Sequence, residues 1–130
     1  MNNNKLTVIT GLEDLNLTEL HLLGNKLIRI SGLEFLPKLV LLDLCRNQLK
    51  KYSTSSISHS HLPPFPRLKG LEHLKQLRFL YLSANYINKV KEIKYIENLP
   101  YLSELELCFN PVQSKKFYRL QILYILTLLR

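Results

Sequence analysis

The chain has 130 residues, enough for one domain, and 46% of them are hydrophobic, so a core can be buried. Its 18 Lys and Arg against 10 Asp and Glu leave a net charge of +8, but the cations are scattered; that pattern predicts a solvated outer face and argues against nucleic acid as the partner. No run of 18 apolar residues predicts a transmembrane helix, and Met1-Asn2-Asn3-Asn4-Lys5 lacks the basic-then-apolar order of a signal peptide, so the expectation is an intracellular, cytoplasmic protein with no membrane contact.

The chain opens with Asn4 to Leu15, which matches Asn25 to Leu36 almost position for position, Gly11-Leu12-Glu13 against Gly32-Leu33-Glu34 included. It therefore begins inside a repeating unit, at about 1–16. Four copies of one spacing follow, L-x-x-L-x-L-x-x-N-x-(apolar). They are Leu17–Leu20–Leu22–Asn25–Leu27, Leu39–Leu42–Leu44–Asn47–Leu49, Leu77–Leu80–Leu82–Asn85–Ile87 and Leu102–Leu105–Leu107–Asn110–Val112. The units run at about 17–38, 39–76, 77–101 and 102–112. Steps between successive Asn residues, from Asn4, are 21, 22, 38 and 25 residues.

The 38-residue step is a 22-residue unit carrying an insertion at about 53–68, rich in Ser and Pro as a loop is. Gly70-Leu71-Glu72-His73-Leu74 then restores the frame. Val90, Ile93, Ile96, Leu99 and Leu102 recur every three residues and predict a helical segment with one apolar face. Pro37 and Pro100 would end the helical turns that precede two of the strands. A closing helix is expected over about 113–130, with Phe117, Leu120, Leu123 and Leu126 on its covering face.

Alternate strand residues point to opposite faces, so the second and third Leu of each L-x-x-L-x-L point inward together. Stacking the units buries them, at about 1.5–3 kcal/mol each. Asn25, Asn47, Asn85 and Asn110 fall where the chain turns away from the strand. A buried amide has two donors and one acceptor oxygen, enough to serve its own turn and the neighbouring one. These four are therefore read as a structural ladder and not as catalytic groups.

The spacing resembles the leucine-rich repeat, one short strand and one helical turn per unit. The 22-residue period, G-L-E-x-L at Gly11, Gly32 and Gly70, and Asn110-Pro111-Val112 with Tyr118-Arg119 are similar to the short-repeat class typified by protein phosphatase-1 regulatory subunits. That class closes with a helical cap beginning N-P-V and containing Y-R. The stretch from Val90 to Val112 also resembles the repeat region of leucine-rich-repeat proteins that carry a guanylate-kinase domain. No G-x-x-x-x-G-K-[ST] phosphate loop occurs in the chain. The resemblance implies an α/β solenoid with parallel strands on its concave face. The ends, a ladder Asn without its strand and a cap stopping at Arg130, suggest a fragment or isoform of a longer protein, with uncovered apolar ends through which copies could associate.

The function expected is a non-enzymatic module or scaffold that holds a protein partner on the concave sheet. The alternatives are the repeat arm of a larger guanylate-kinase-like protein or a ribonucleoprotein scaffold. The partner-binding candidates are the non-Leu positions around L-x-L: Glu19, His21, Asp43, Arg46, Phe79, Tyr81, Glu104, Glu106 and Phe109. Aromatics and Arg beside carboxylates suit protein recognition. No catalytic residue, cofactor or metal is expected. His59 and His61 lie among serines without a Cys or carboxylate at ligand spacing, and an open sheet gives Glu104 and Glu106 no apolar pocket to split their pKa values. Cys45 and Cys108 fall at the same place in units two strands apart, roughly 9–10 Å at about 4.8 Å per strand. That is too far for a disulfide, so both are expected as free thiols.

Overall fold

A computed structural model describes residues 1–49 and 68–127. Four three-residue strands form one parallel sheet in chain order: β1 (Glu19–His21), β2 (Leu41–Asp43), β3 (Phe79–Tyr81) and β4 (Glu104–Glu106). The register is uniform. Leu20 faces Leu42, Leu42 faces Leu80, and Leu80 faces Leu105. Parallel neighbours need a crossover. Among the described residues, 3₁₀ segments precede β3 at Leu71–His73 and β4 at Val90–Tyr95, and a third, Pro111–Ser114, follows β4.

The core is a stack of leucines. Leu22, Leu42, Leu44, Leu80 and Leu82 are fully buried and Leu20 and Leu107 nearly so, while Leu105, in the last strand, packs half-buried against them. Leu39 and Leu77, first in their motifs, are also buried, whereas Leu17 and Leu102 are half-buried. Backbone bonds carry the ladder past each strand: Leu44 N–H donates to Tyr81 O at 2.8 Å and Leu82 N–H to Glu106 O at 2.8 Å.

Each Asn then turns the corner. Asn85 Nδ2 donates to Leu44 O at 2.9 Å in the preceding unit and to Leu82 O at 3.0 Å in its own, while its Oδ1 accepts from Leu49 N at 3.1 Å. Asn47 repeats this with Leu22 O, Leu44 O and Leu27 N, and Asn110 with Leu82 O, Leu107 O and Ile87 N. Asn25 bonds Leu22 O, Met1 O and Leu6 N. All four are buried. Buried backbone groups left unmatched cost about 1–3 kcal/mol, so an apolar residue at this position is expected to destabilise the turn. The residue before each Asn is left-handed: Gly24, Arg46, Ala84 and Phe109, with φ from 53° to 71°.

The G-L-E signature has its own cause. Gly70 N–H donates to Glu72 Oε2 at 2.6 Å and Gly11 N–H to Glu13 Oε1 at 3.3 Å, so the Glu fastens the turn it follows. Gly32, at φ 74°, also stands where a Cβ would lie 2.5 Å from Ile9 O. Only glycine meets both demands.

Residues 53–67 of the expected insertion lie outside the described residues. Leu68, its last residue as counted from the sequence, is fully buried and holds the place that Ile9 and Ile30 hold in their units.

Two expectations about the ends are corrected. The N-terminal edge is not bare at Leu20 and Leu22, both of which are buried. The reason is that Met1–Leu6 lies along the first unit: Asn3 N–H donates to Leu23 O at 2.7 Å and Leu23 N–H to Asn2 Oδ1 at 3.0 Å. At the other end, α1 (Tyr118–Thr127) covers the last unit with different residues from those expected. Tyr118 and Ile122, four apart, pack on the core, whereas Phe117, Leu120 and Leu123 point to solvent. An α-helix turns every 3.6 residues, so a three-residue step drifts off one face. Between Val90 and Leu99 the same step is correct. There the backbone begins as 3₁₀ helix with three residues per turn, and Ile93, Ile96 and Leu99 are all buried.

Candidate functional site

Short strands with Leu on the inner face leave two outward rows on the concave sheet. One row runs Glu19–Leu41–Phe79–Glu104, the other His21–Asp43–Tyr81–Glu106. Seven of the expected positions, Glu19, His21, Asp43, Phe79, Tyr81, Glu104 and Glu106, therefore share one surface. The outer strands are the more open: Glu19, His21, Glu104 and Glu106 are exposed, while Leu41, Asp43, Phe79 and Tyr81 are half-buried. Neighbouring strands lie about 4.8 Å apart, so Tyr81 stands between two carboxylates, Asp43 and Glu106.

Arg46 and Phe109 are not on these rows. They occupy the left-handed position before the ladder Asn, at the rim of the sheet. There they line an open groove of about 420 Å³ with Ala84 and Tyr86. Phe109 is 81% exposed, the most open large apolar side chain among the described residues. Tyr86, also exposed, joins this rim and was missed from sequence. Its signal was weak: it follows a ladder Asn, where Lys26, Gln48 and Pro111 stand in the other units.

The site's electrostatics follow from four carboxylates on a half-dry sheet. Partial burial, then the charge of Glu104 and a hydrogen bond to it, and then Glu106 and Asp43, raise the Tyr81 phenol above its ordinary 10.0. Tyr81 therefore stays a neutral hydroxyl at any physiological pH. Ser83 Oγ, a further row down, donates to Glu106 Oε1 at 2.6 Å. Burial, followed by the charge and hydrogen bond of Asp43, pushes the Cys45 thiol up to about 12. A thiol so protonated is a poor nucleophile. Cys45 and Cys108 are both free, their strands separated by β3. His21 Nε2 and Glu19 Oε2 approach to 3.4 Å at the open end of the sheet. Among the described residues no group of three or more His, Cys, Asp or Glu is placed to hold a metal ion. No described helix is long and apolar enough to cross a membrane. The surface is open, charged at its ends and aromatic at its centre.

Comparison with known proteins agrees with this architecture. The chain is 31% identical over 121 residues to U2 small nuclear ribonucleoprotein A' of Emericella nidulans, a match covering 93% of this chain and 45% of that protein. It is 33% identical over 95 residues to leucine-rich repeat-containing protein 23 of Xenopus tropicalis, covering 73% of this chain and 23% of that protein. The stacked parallel strands, the buried Leu rows and these two likenesses decide the matter. This is a leucine-rich-repeat protein. No family model matches the chain. It spans less than half the length of either relative. In this leucine-rich-repeat frame the N-P-V…Y-R signature has a plain role: Pro111 starts the final 3₁₀ turn, Val112 is fully buried, and Tyr118 packs against the core as α1 begins.

Proposed function

We propose that the protein is a non-enzymatic interaction module, intracellular, that holds a protein partner on its concave sheet. The observation that carries this reading is the pair of outward rows. Phe79 and Tyr81 sit at the centre of an unpaired sheet face with carboxylates around them, and no core contact requires these residue types there. Tyr and Phe give large contact area for little lost side-chain freedom, and such residues often contribute about 2 kcal/mol or more each in a complex. Phe109 at the rim extends the same surface. Affinity purification followed by mass spectrometry tests the reading, with the Tyr81→Ala plus Phe109→Ala variant as control. Partners of the concave sheet are captured by the parent protein and lost by the variant. Capture that the variant retains places binding on the convex side or elsewhere and ends this proposal.

A second reading comes from the relative that is itself a ribonucleoprotein component: the partner would then be a protein of a ribonucleoprotein assembly. The concave carboxylates disfavour direct contact with phosphates, so the RNA would be reached through the partner. Binding of RNA to the isolated chain that falls steeply with salt would contradict that order of assembly.

A further inference from the structure

Two exposed faces of this molecule have opposite chemistry. The first is the outer side of the closing helix. Phe117, Leu120 and Leu123 are 60%, 63% and 58% exposed, next to the cations of Lys115, Lys116 and Arg119. No acidic residue follows Glu106 in the chain, so the charged side chains of the closing segment are all cationic, although the neighbouring turn Val90–Tyr95 contributes Glu92. Apolar side chains open to water in such a cluster mark a surface that gains by being covered. The second face is the concave sheet. Its strands hold Glu19, Asp43, Glu104 and Glu106 and not one Lys or Arg, in a chain whose net charge is +8. At its centre stand Leu41, Phe79 and Tyr81.

We infer that the outer face of the closing helix docks on the concave sheet of a second copy of this chain. Lys115, Lys116 and Arg119 meet Glu104, Glu106 and Asp43, and Phe117, Leu120 and Leu123 meet Phe79 and Tyr81. Each face supplies what the other lacks, an apolar centre with a charged rim of opposite sign. Such pairing directs encounter and fixes orientation. The helix cannot reach its own sheet, because Tyr118 and Ile122 hold it on the last unit, against the 3₁₀ turns Val90–Tyr95 and Pro111–Ser114. The contact is heterologous, helix to sheet, so two copies either exchange helices reciprocally or continue as a chain. The inference rests on the concave face being the docking surface, as proposed above. It adds a consequence: a partner on that sheet and the second copy compete.

Sedimentation velocity across a concentration series tests it, at low and at high salt. The parent protein is expected to associate as concentration rises and to dissociate as salt screens the charged rim. Two charge-reversed variants, Glu104→Lys plus Glu106→Lys, and Lys115→Glu plus Lys116→Glu plus Arg119→Glu, are each expected to stay monomeric and to keep a cooperative thermal melt; the first melts somewhat earlier, because Glu106→Lys takes the acceptor from the buried Ser83 hydroxyl. Mixed in equal amounts they are expected to associate again, because each reversal restores the other's complement. A parent protein that is monomeric at every concentration overturns the inference. So does association that either variant retains, or a mixture that stays monomeric. The concave-partner reading survives all three results, since it fails only if captured partners ignore Tyr81 and Phe109.

Discussion

The stacked strands and the closing helix are both built from leucine, yet they assign it differently. In β3, Leu80 is fully buried and its neighbours Phe79 and Tyr81 face outward. Strand period and register together leave no other choice, since a shift of one residue would turn every Leu to solvent. In α1, Tyr118 and Ile122 face the core while Leu120 and Leu123 face water. One helix packs once, through Tyr118 and Ile122 against two 3₁₀ turns, with no neighbouring copies to enforce the choice of face. Repetition, more than composition, makes a leucine structural.

Removing a stacked leucine breaks that comparison most sharply. Leu80→Ala should cost about 2–5 kcal/mol, a large share of the roughly 5–15 kcal/mol that hold a domain together. A chemical-denaturation midpoint that hardly moves would mean the inward row is misassigned. The ladder comes next. Asn85→Ala strips the buried carbonyls of Leu44 and Leu82 and the amide of Leu49 of their partner. Its expected cost is at least about 1–3 kcal/mol, read as a lower melting temperature with the helical signal retained below it.

The helix offers a smaller, paired test. Ile122→Ala should cost roughly 1–2 kcal/mol, part of the full penalty because the side chain is only half-buried. Leu120→Ala should change stability by less than about 0.5 kcal/mol. Equal losses from the two, measured by urea titration, would place both faces of α1 in contact. The smallest effect concerns reactivity. With its thiol pushed up to about 12 from 9.0, Cys45 carries far less thiolate at neutral pH than an ordinary cysteine. Alkylation followed by mass spectrometry should label exposed Cys108 first and Cys45 far later. Labelling of Cys45 at the same rate would deny its partial burial beside Asp43.

The body of this fold was legible because its determinants recur. Strand positions, the inward Leu pairs and the Asn turns each appear four times at one spacing, and backbone hydrogen bonding requires that spacing. The outward rows were legible for the same reason, since alternation follows once the inward row is known. What escaped was what occurs once. The inner face of α1 depends on where one helix settles, and a three-residue count that suits the 3₁₀ turn at Val90 misleads in an α-helix. The cover over β1 escaped too: Met1–Leu6 has no strand motif, only Asn2 and Asn3 reaching Leu23. Rim residues were hard to place because the chain turns left-handed after each strand, at Phe109 itself and at Ala84 just before Asn85 and Tyr86, and leaves the strand's rows there.

The central claim is that in each strand the inward residue holds the fold and its outward neighbour holds the partner. Leu80 and Tyr81, adjacent in β3, test it in one paired measurement of melting temperature and partner capture. Leu80→Ala is predicted to lower the melting temperature strongly. Tyr81→Ala is predicted to leave it nearly unchanged while capture falls by roughly tenfold or more, the equivalent of about 1.4 kcal/mol or more. A Tyr81→Ala protein that melts as early as Leu80→Ala, or that captures its partner undiminished, would contradict the account.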